Sequence, residues 1–108
     1  MDQLILTEKT GANYILLELI GTIDSYTSAE FQNKVYSYIQ TTNVVLDMSQ
    51  VDGIESTGMG IIMAGFNDGL DSGKKLYILS PSPAVREAID DTGFSDTFYF
   101  IHSVTEVA

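Results

Sequence analysis

The chain has 108 residues, 44% of them apolar and 19% charged, with a formal net charge of −10 from fifteen acidic and five basic side chains. That length and composition describe one globular domain with a core of its own and exclude intrinsic disorder. The absence of cysteine excludes disulfides and thiolate metal sites. No apolar run approaches the roughly 18 residues of a membrane span, and the start Met-Asp-Gln-Leu-Ile-Leu lacks the basic region of a signal peptide, so a cytoplasmic protein is expected. Lys74-Lys75 is the only adjacent basic pair, which makes nucleic acid and anionic lipid poor candidates as partners. The acidity itself admits two readings, solubility or a surface that meets a basic protein.

Residues 4–7 and 14–20 read as two strands around the turn signal Thr10-Gly11-Ala12-Asn13, a hairpin by spacing. Thr27-Ser28-Ala29-Glu30 has the form of a capping box, with Thr27 as N-cap and Glu30 reaching back. Phe31, Val35, Tyr38 and Ile39 then fall on one face of a helix ending near Gln40. The short branched run 44–48 predicts a buried strand, followed by a short polar loop.

After Ser56, the residues Met59, Ile62, Met63, Phe66 and Leu70 share one helical face, and Gly73 is placed to stop the helix. This helix holds glycines at 58, 60, 65 and 69, each costing about 1 kcal/mol relative to alanine. Their presence predicts either close packing, favoured for Gly65 and Gly69, or an approaching partner. A strand over 75–80 follows. Ser82 as N-cap and Pro83 at the first helical position start a third helix, with Val85, Ala88 and Ile89 inward and Gly93 as its stop. Residues 98–101 read as the last strand, and 103–108 as at most a stub of helix. The order β-β-α-β-α-β-α-β predicts an α/β domain: a mixed sheet, antiparallel at the initial hairpin, with its helices packed largely on one side.

Enzyme signatures are incomplete. A nucleophile elbow needs Gly-x-Ser-x-Gly, but Gly53 stands three residues before Ser56, and the single histidine, His102, lies in the C-terminal segment. Gly58-Met59-Gly60 opens a helix without the Gly-Lys-[Ser/Thr] of a phosphate-binding loop. The acidic residues lack calcium-loop spacing, so no metal or cofactor is expected. Asp47, at the end of a buried strand, has the place of a receiver-domain phosphoacceptor, but the acidic pair required after the first strand is missing. A switch demands less. As N-cap, Ser56 would place its oxygen near the N–H groups of Gly58 and Met59, where a phosphate of about −1.5 to −2 charges is tolerated. Spacing alone leaves open whether Ser56 is a phosphoacceptor or only a cap.

Four segments in order carry a family resemblance. They are Gly21-Thr22-Ile23-Asp24; Leu46-Asp47-Met48-Ser49-Gln50-Val51-Asp52-Gly53-Ile54-Glu55-Ser56-Thr57-Gly58-Met59-Gly60; Ser80-Pro81-Ser82-Pro83-Ala84-Val85; and Asp91-Thr92-Gly93-Phe94. Together they resemble the STAS domain of bacterial anti-sigma factor antagonists over nearly the whole chain, 1–108. The resemblance implies partner switching. The unphosphorylated antagonist binds an anti-sigma factor that is also a serine kinase, phosphorylation ends the binding, and a serine phosphatase restores it. It assigns the phosphoacceptor to Ser56, with Thr57 less favoured. It places Asp24, Glu55, Ser56, Thr57, Gly58 and Met59 at the partner surface, on a monomer without cofactor. Glu55 stands where the family usually has aspartate, and the C-terminus stops where many members continue into a fourth helix. The alternatives are a non-switching STAS scaffold or sensor in a larger signalling or transporter assembly, and a module that binds a nucleotide or other small ligand.

Overall fold

Alternation decides the centre of the sheet. In the computed structural model, which describes residues 3–107, strand β2 (Tyr14–Ile23) buries Ile15, Leu17 and Leu19 on one face. Its other face carries Leu16, Glu18 and Ile20. Strand β3 (Asn43–Ile54) runs parallel to β2 with Val44, Leu46 and Met48 on the same buried side. Strand β1 (Leu4–Thr10) pairs antiparallel with β2, while β4 (Leu76–Leu79) and β5 (Tyr99–Ile101) extend the parallel part, in spatial order β1-β2-β3-β4-β5.

Three helices cover one face. Phe31, Val35 and Ile39 come from helix α1 (Ser28–Tyr38) and the residue capping it. Met59, Ile61, Ile62 and Phe66 come from α2 (Ser56–Ser72), and Val85 and Ile89 from α3 (Pro83–Thr92). All join a single cluster with the inward residues of β2, β3 and β4. On the opposite face Val45, Tyr77 and Ile101 form a smaller cluster, against which Val104 and Val107 pack from the terminal 3-10 turn (Val104–Glu106) and the residue after it. The expected element order and one-sided helix packing are therefore present.

Local chemistry explains most boundaries. Ser82 caps α3 by accepting the Val85 N–H at 3.2 Å and donates to the Val51 carbonyl at 2.6 Å, tying the helix to β3. Gly73 and Gly93 end α2 and α3 in left-handed conformations (φ 72° and 77°), as expected of those residues. The strand edges differ by a few residues from expectation, and α1 ends at Tyr38 rather than Gln40.

Four expectations need correction. The capping box at Thr27 does not form: Thr27 has helical backbone angles (φ −107°, ψ −5°), which turn its hydroxyl away from the helix. That hydroxyl instead donates to the Thr22 carbonyl at 2.8 Å and accepts from the Asp24 N–H at 3.0 Å. Leu70 is 57% exposed, and the inner face of α2 is completed by Gly65 and Gly69, which lie close to Val35 and Ile39 of the α1 segment. The polar stretch 49–54 is strand, not loop. Finally, Ser56 is the first residue of α2 and not its cap.

Candidate functional site

Strand β3 is longer than its apolar run because it carries two register shifts against β2. Glu18 pairs with Asp47 but Ile20 with Gln50, and Gly21 pairs with Val51 but Thr22 with Gly53. Each shift leaves an extra residue on β3, the signature of a bulge that bends a strand and re-aims the residues beyond it. The ladder then closes with Ile23 opposite Ile54, and the Glu55 N–H donates to the Ile23 carbonyl at 2.9 Å. Asp24 and Ser56 thus leave the ends of two adjacent, hydrogen-bonded strands side by side. Residues 24 and 55–57, distant in sequence, become one surface.

Each half of that surface is preorganised. The Asp24 carboxylate accepts the N–H of Tyr26 at 2.8 Å and of Thr27 at 3.1 Å, fixing the turn into α1. This turn presents Tyr26 at 94% exposure. On the other half, Glu55 occupies the N-cap position with extended angles (φ −96°, ψ 176°), and its carbonyl accepts the Met59 N–H at 3.1 Å. That bond starts the helix one residue early, so Ser56 opens it instead of capping it. The Ser56 and Thr57 side chains are exposed, and neither hydroxyl is engaged within the described residues. Modifying Ser56 therefore breaks nothing in the fold, while the helix terminus offers uncompensated N–H groups to an anion.

Of the six residues expected at a partner surface, four are accessible to solvent: Asp24 in part, with Glu55, Ser56 and Thr57 exposed. Gly58 and Met59 face inward. A Cβ on Gly58 would lie 2.7 Å from both Ile23 Cγ2 and Ile54 Cγ1, so this glycine lets α2 start against the strand ends. Met59 is 7% exposed and belongs to the core. One surface feature escapes sequence reasoning: Tyr26, its only signal being an aromatic in an otherwise polar loop. Gly60, for which the sequence left packing and an approaching partner open, is exposed, with nothing within 4 Å of where its Cβ would be.

The geometry also separates the two residues that a serine hydrolase would have to pair, Ser56 and His102. Asp47 is level in the sheet with Leu79 and Ile101, immediately before His102. Ser56 lies beyond the end of β3, a further seven strand residues or about 23 Å along at 3.3 Å per residue. His102 cannot act on Ser56 as a base across that separation. Among the described residues, no three His, Asp or Glu side chains group to hold a metal ion.

Comparison with known proteins agrees with this architecture. The family profile described as the STAS domain matches residues 3–107. The anti-sigma-B factor antagonist of Staphylococcus epidermidis is 29% identical over 100 residues, covering 91% of this chain and 92% of its own. The anti-sigma factor antagonist SpoIIAA in its unphosphorylated form superposes with a TM-score of 0.78 at 15% identity, covering 94% of this chain and 91% of SpoIIAA. An anti-sigma factor antagonist from Mycobacterium paratuberculosis gives a TM-score of 0.78 at 21% identity, covering 95% and 89%. A sheet of this order, helices on one face and a profile match from end to end of the described chain lead to one conclusion: the chain belongs to the STAS domain family.

Proposed function

We propose that this chain is a phosphorylation-controlled anti-sigma factor antagonist, acting in the cytoplasm through its STAS domain and catalysing nothing itself. The observation that carries the reading is the exposed, unengaged Ser56 hydroxyl at the first position of α2, beside the Asp24 turn. The names of its relatives support the partner class, an anti-sigma factor; that this factor is also a serine kinase is part of the proposal. The kinase transfers the γ-phosphoryl group of ATP to Ser56 Oγ, breaking the bond to ADP and releasing the hydroxyl proton. A phosphatase returns the serine by adding water and releasing inorganic phosphate.

Release follows from charge and not from unfolding. The N-terminus of α2 tolerates a dianion, and no acidic residue lies in its first turn. Set next to Glu55 and Asp24, however, the phosphate concentrates negative charge on the contact surface. Loss of about 3 kcal/mol there weakens a complex roughly a hundredfold.

The test is phosphorylation by the kinase that co-purifies with the wild-type chain, read by fragment mass spectrometry. Phosphate at Ser56, absent from Ser56→Ala, is the expected result. Phosphate confined to Thr57 would move the switch by one residue. No phosphate, with partner capture indifferent to Ser56, would make the chain a scaffold.

A further inference from the structure

We infer that the partner's footprint continues from Ser56 along the outer face of α2 into an apolar groove, which seats an apolar side chain flanked by basic residues of that same anti-sigma partner. This rests on reading Ser56 as part of the partner surface. The groove lies between α2 and the segment after α3, is lined by Met63, Phe66, Asn67, Phe94, Thr97 and Phe98, and has a volume of about 310 Å³. Phe66 and Phe98 form its floor edge to face, with ring centroids 5.5 Å apart, and Phe94 stands at the rim, 52% exposed.

Three observations join this groove to Ser56. The first is alignment: Ser56, Gly60, Met63 and Asn67 follow at i, i+4, i+7 and i+11, one stripe about 16 Å long at 1.5 Å per residue. Gly60 interrupts that stripe with bare backbone that the fold does not use, unlike Gly58, Gly65 and Gly69, whose Cβ positions are blocked by the chain itself. The second is area. A stable interface takes about 800 Å² from each partner, whereas only Asp24, Glu55, Ser56 and Thr57 of the expected set reach the surface. The footprint must extend, and α2 leads it to the groove.

The third is charge. Helix α2 and the segment 83–98 together hold six acidic residues (Asp68, Asp71, Glu87, Asp90, Asp91, Asp96) and one basic, Arg86. Arg86 is paired with Asp90 at 3.5 Å. A second copy of this chain, at a net charge of −10, would be repelled by these acidic elements. A basic partner segment would be attracted, while its apolar side chain fills the groove.

Two variants test the inference without removing core. Phe94→Ser empties the rim, and Gly60→Leu fills open space with a better helix former. The probe is the anti-sigma factor that co-purifies with the wild-type chain, measured by titration calorimetry, with Ser56→Glu as control and sedimentation for the chain alone. Each variant is expected to raise Kd tenfold or more, Gly60→Leu without lowering Tm. If both bind as wild type while Ser56→Glu does not, the groove is no part of the footprint, and the Ser56 reading stands. If Ser56→Glu binds as tightly as wild type, that reading and this inference both fail. A wild-type dimer dispersed by Phe94→Ser would make a second copy the occupant and overturn the proposal.

Discussion

The glycines of α2 allow a test in which one substitution changes sign with position. In an exposed helix interior, Gly→Ala gains about 1 kcal/mol from backbone entropy. At Gly60 nothing opposes the gain, since no atom lies within 4 Å of the added Cβ. Gly60→Ala is therefore expected to stabilise by about 1 kcal/mol, a rise in Tm of about 5 °C for a domain of this size. At Gly65 the Cβ would sit 2.6 Å from Val35 Cγ1 and 3.2 Å from Leu76 Cδ1, both on fully buried side chains. Overpacking of that kind costs about 1–3 kcal/mol, so Gly65→Ala should lose about 1 kcal/mol net. At Gly69 the obstacle is the Lys74 carbonyl oxygen at 2.8 Å, which is backbone and cannot rotate aside, so the loss should be at least as large. The chain has no tryptophan, so urea unfolding followed by far-ultraviolet circular dichroism is the suitable assay. A Gly60→Ala midpoint below wild type, or a Gly65→Ala midpoint above it, would refute the reasoning.

Other substitutions probe the supports of the site and sheet. Ser82→Ala removes a cap and leaves the buried Val51 carbonyl without its 2.6 Å donor, so a loss of about 2 kcal/mol is expected in the same urea assay. Ser80 is the one non-glycine residue with positive φ (48°) among those described, and it precedes Pro81; Ser80→Gly should raise stability by up to about 1 kcal/mol. Asp24→Ala strips the acceptor of the Tyr26 and Thr27 N–H groups and should both destabilise by about 1 kcal/mol and weaken partner binding in calorimetry. A wild-type affinity in that variant would remove the turn from the contact surface. The Tyr38 hydroxyl and then Lys34 hold the Glu8 carboxyl below its ordinary value of 4.5. A depressed carboxylate contributes stability present above that value and lost as pH falls through the lower folded one. Glu8→Gln should therefore lower stability at neutral pH, leave it nearly unchanged at pH values below the folded value, and so flatten the acid limb between the two.

Sequence reasoning succeeded where structure is decided by neighbours in the chain. Ser82-Pro83 and Gly93 bound α3 because capping and the left-handed stop are local chemistry. It failed where a distant backbone decides. Thr27 has the right spacing for a capping box, but Thr22 and Asp24 claim its hydroxyl first. Residues 49–54 look like loop because two bulges break the alternation of β3, and only the pairing with β2 makes them strand. Leu70 is apolar and in phase, yet the close approach of α2 to the α1 segment reserves the inner face for Gly65 and Gly69. The position of Ser56 at the helix mouth was legible, but its reading as cap was wrong, since one backbone bond from Met59 to Glu55 shifts the helix start. Tyr26 was invisible because exposure is not a property of local sequence.

The central claim is that phosphate on Ser56 switches a surface and leaves the fold alone. Its most direct test pairs two measurements on the stoichiometrically phosphorylated chain: calorimetric affinity for the co-purifying anti-sigma factor, and the amide proton–nitrogen NMR spectrum. The account predicts an affinity loss of about a hundredfold, with shift changes confined to residues around 23–27 and 54–60. Unchanged affinity, or changes spread through the sheet and α3, would contradict it.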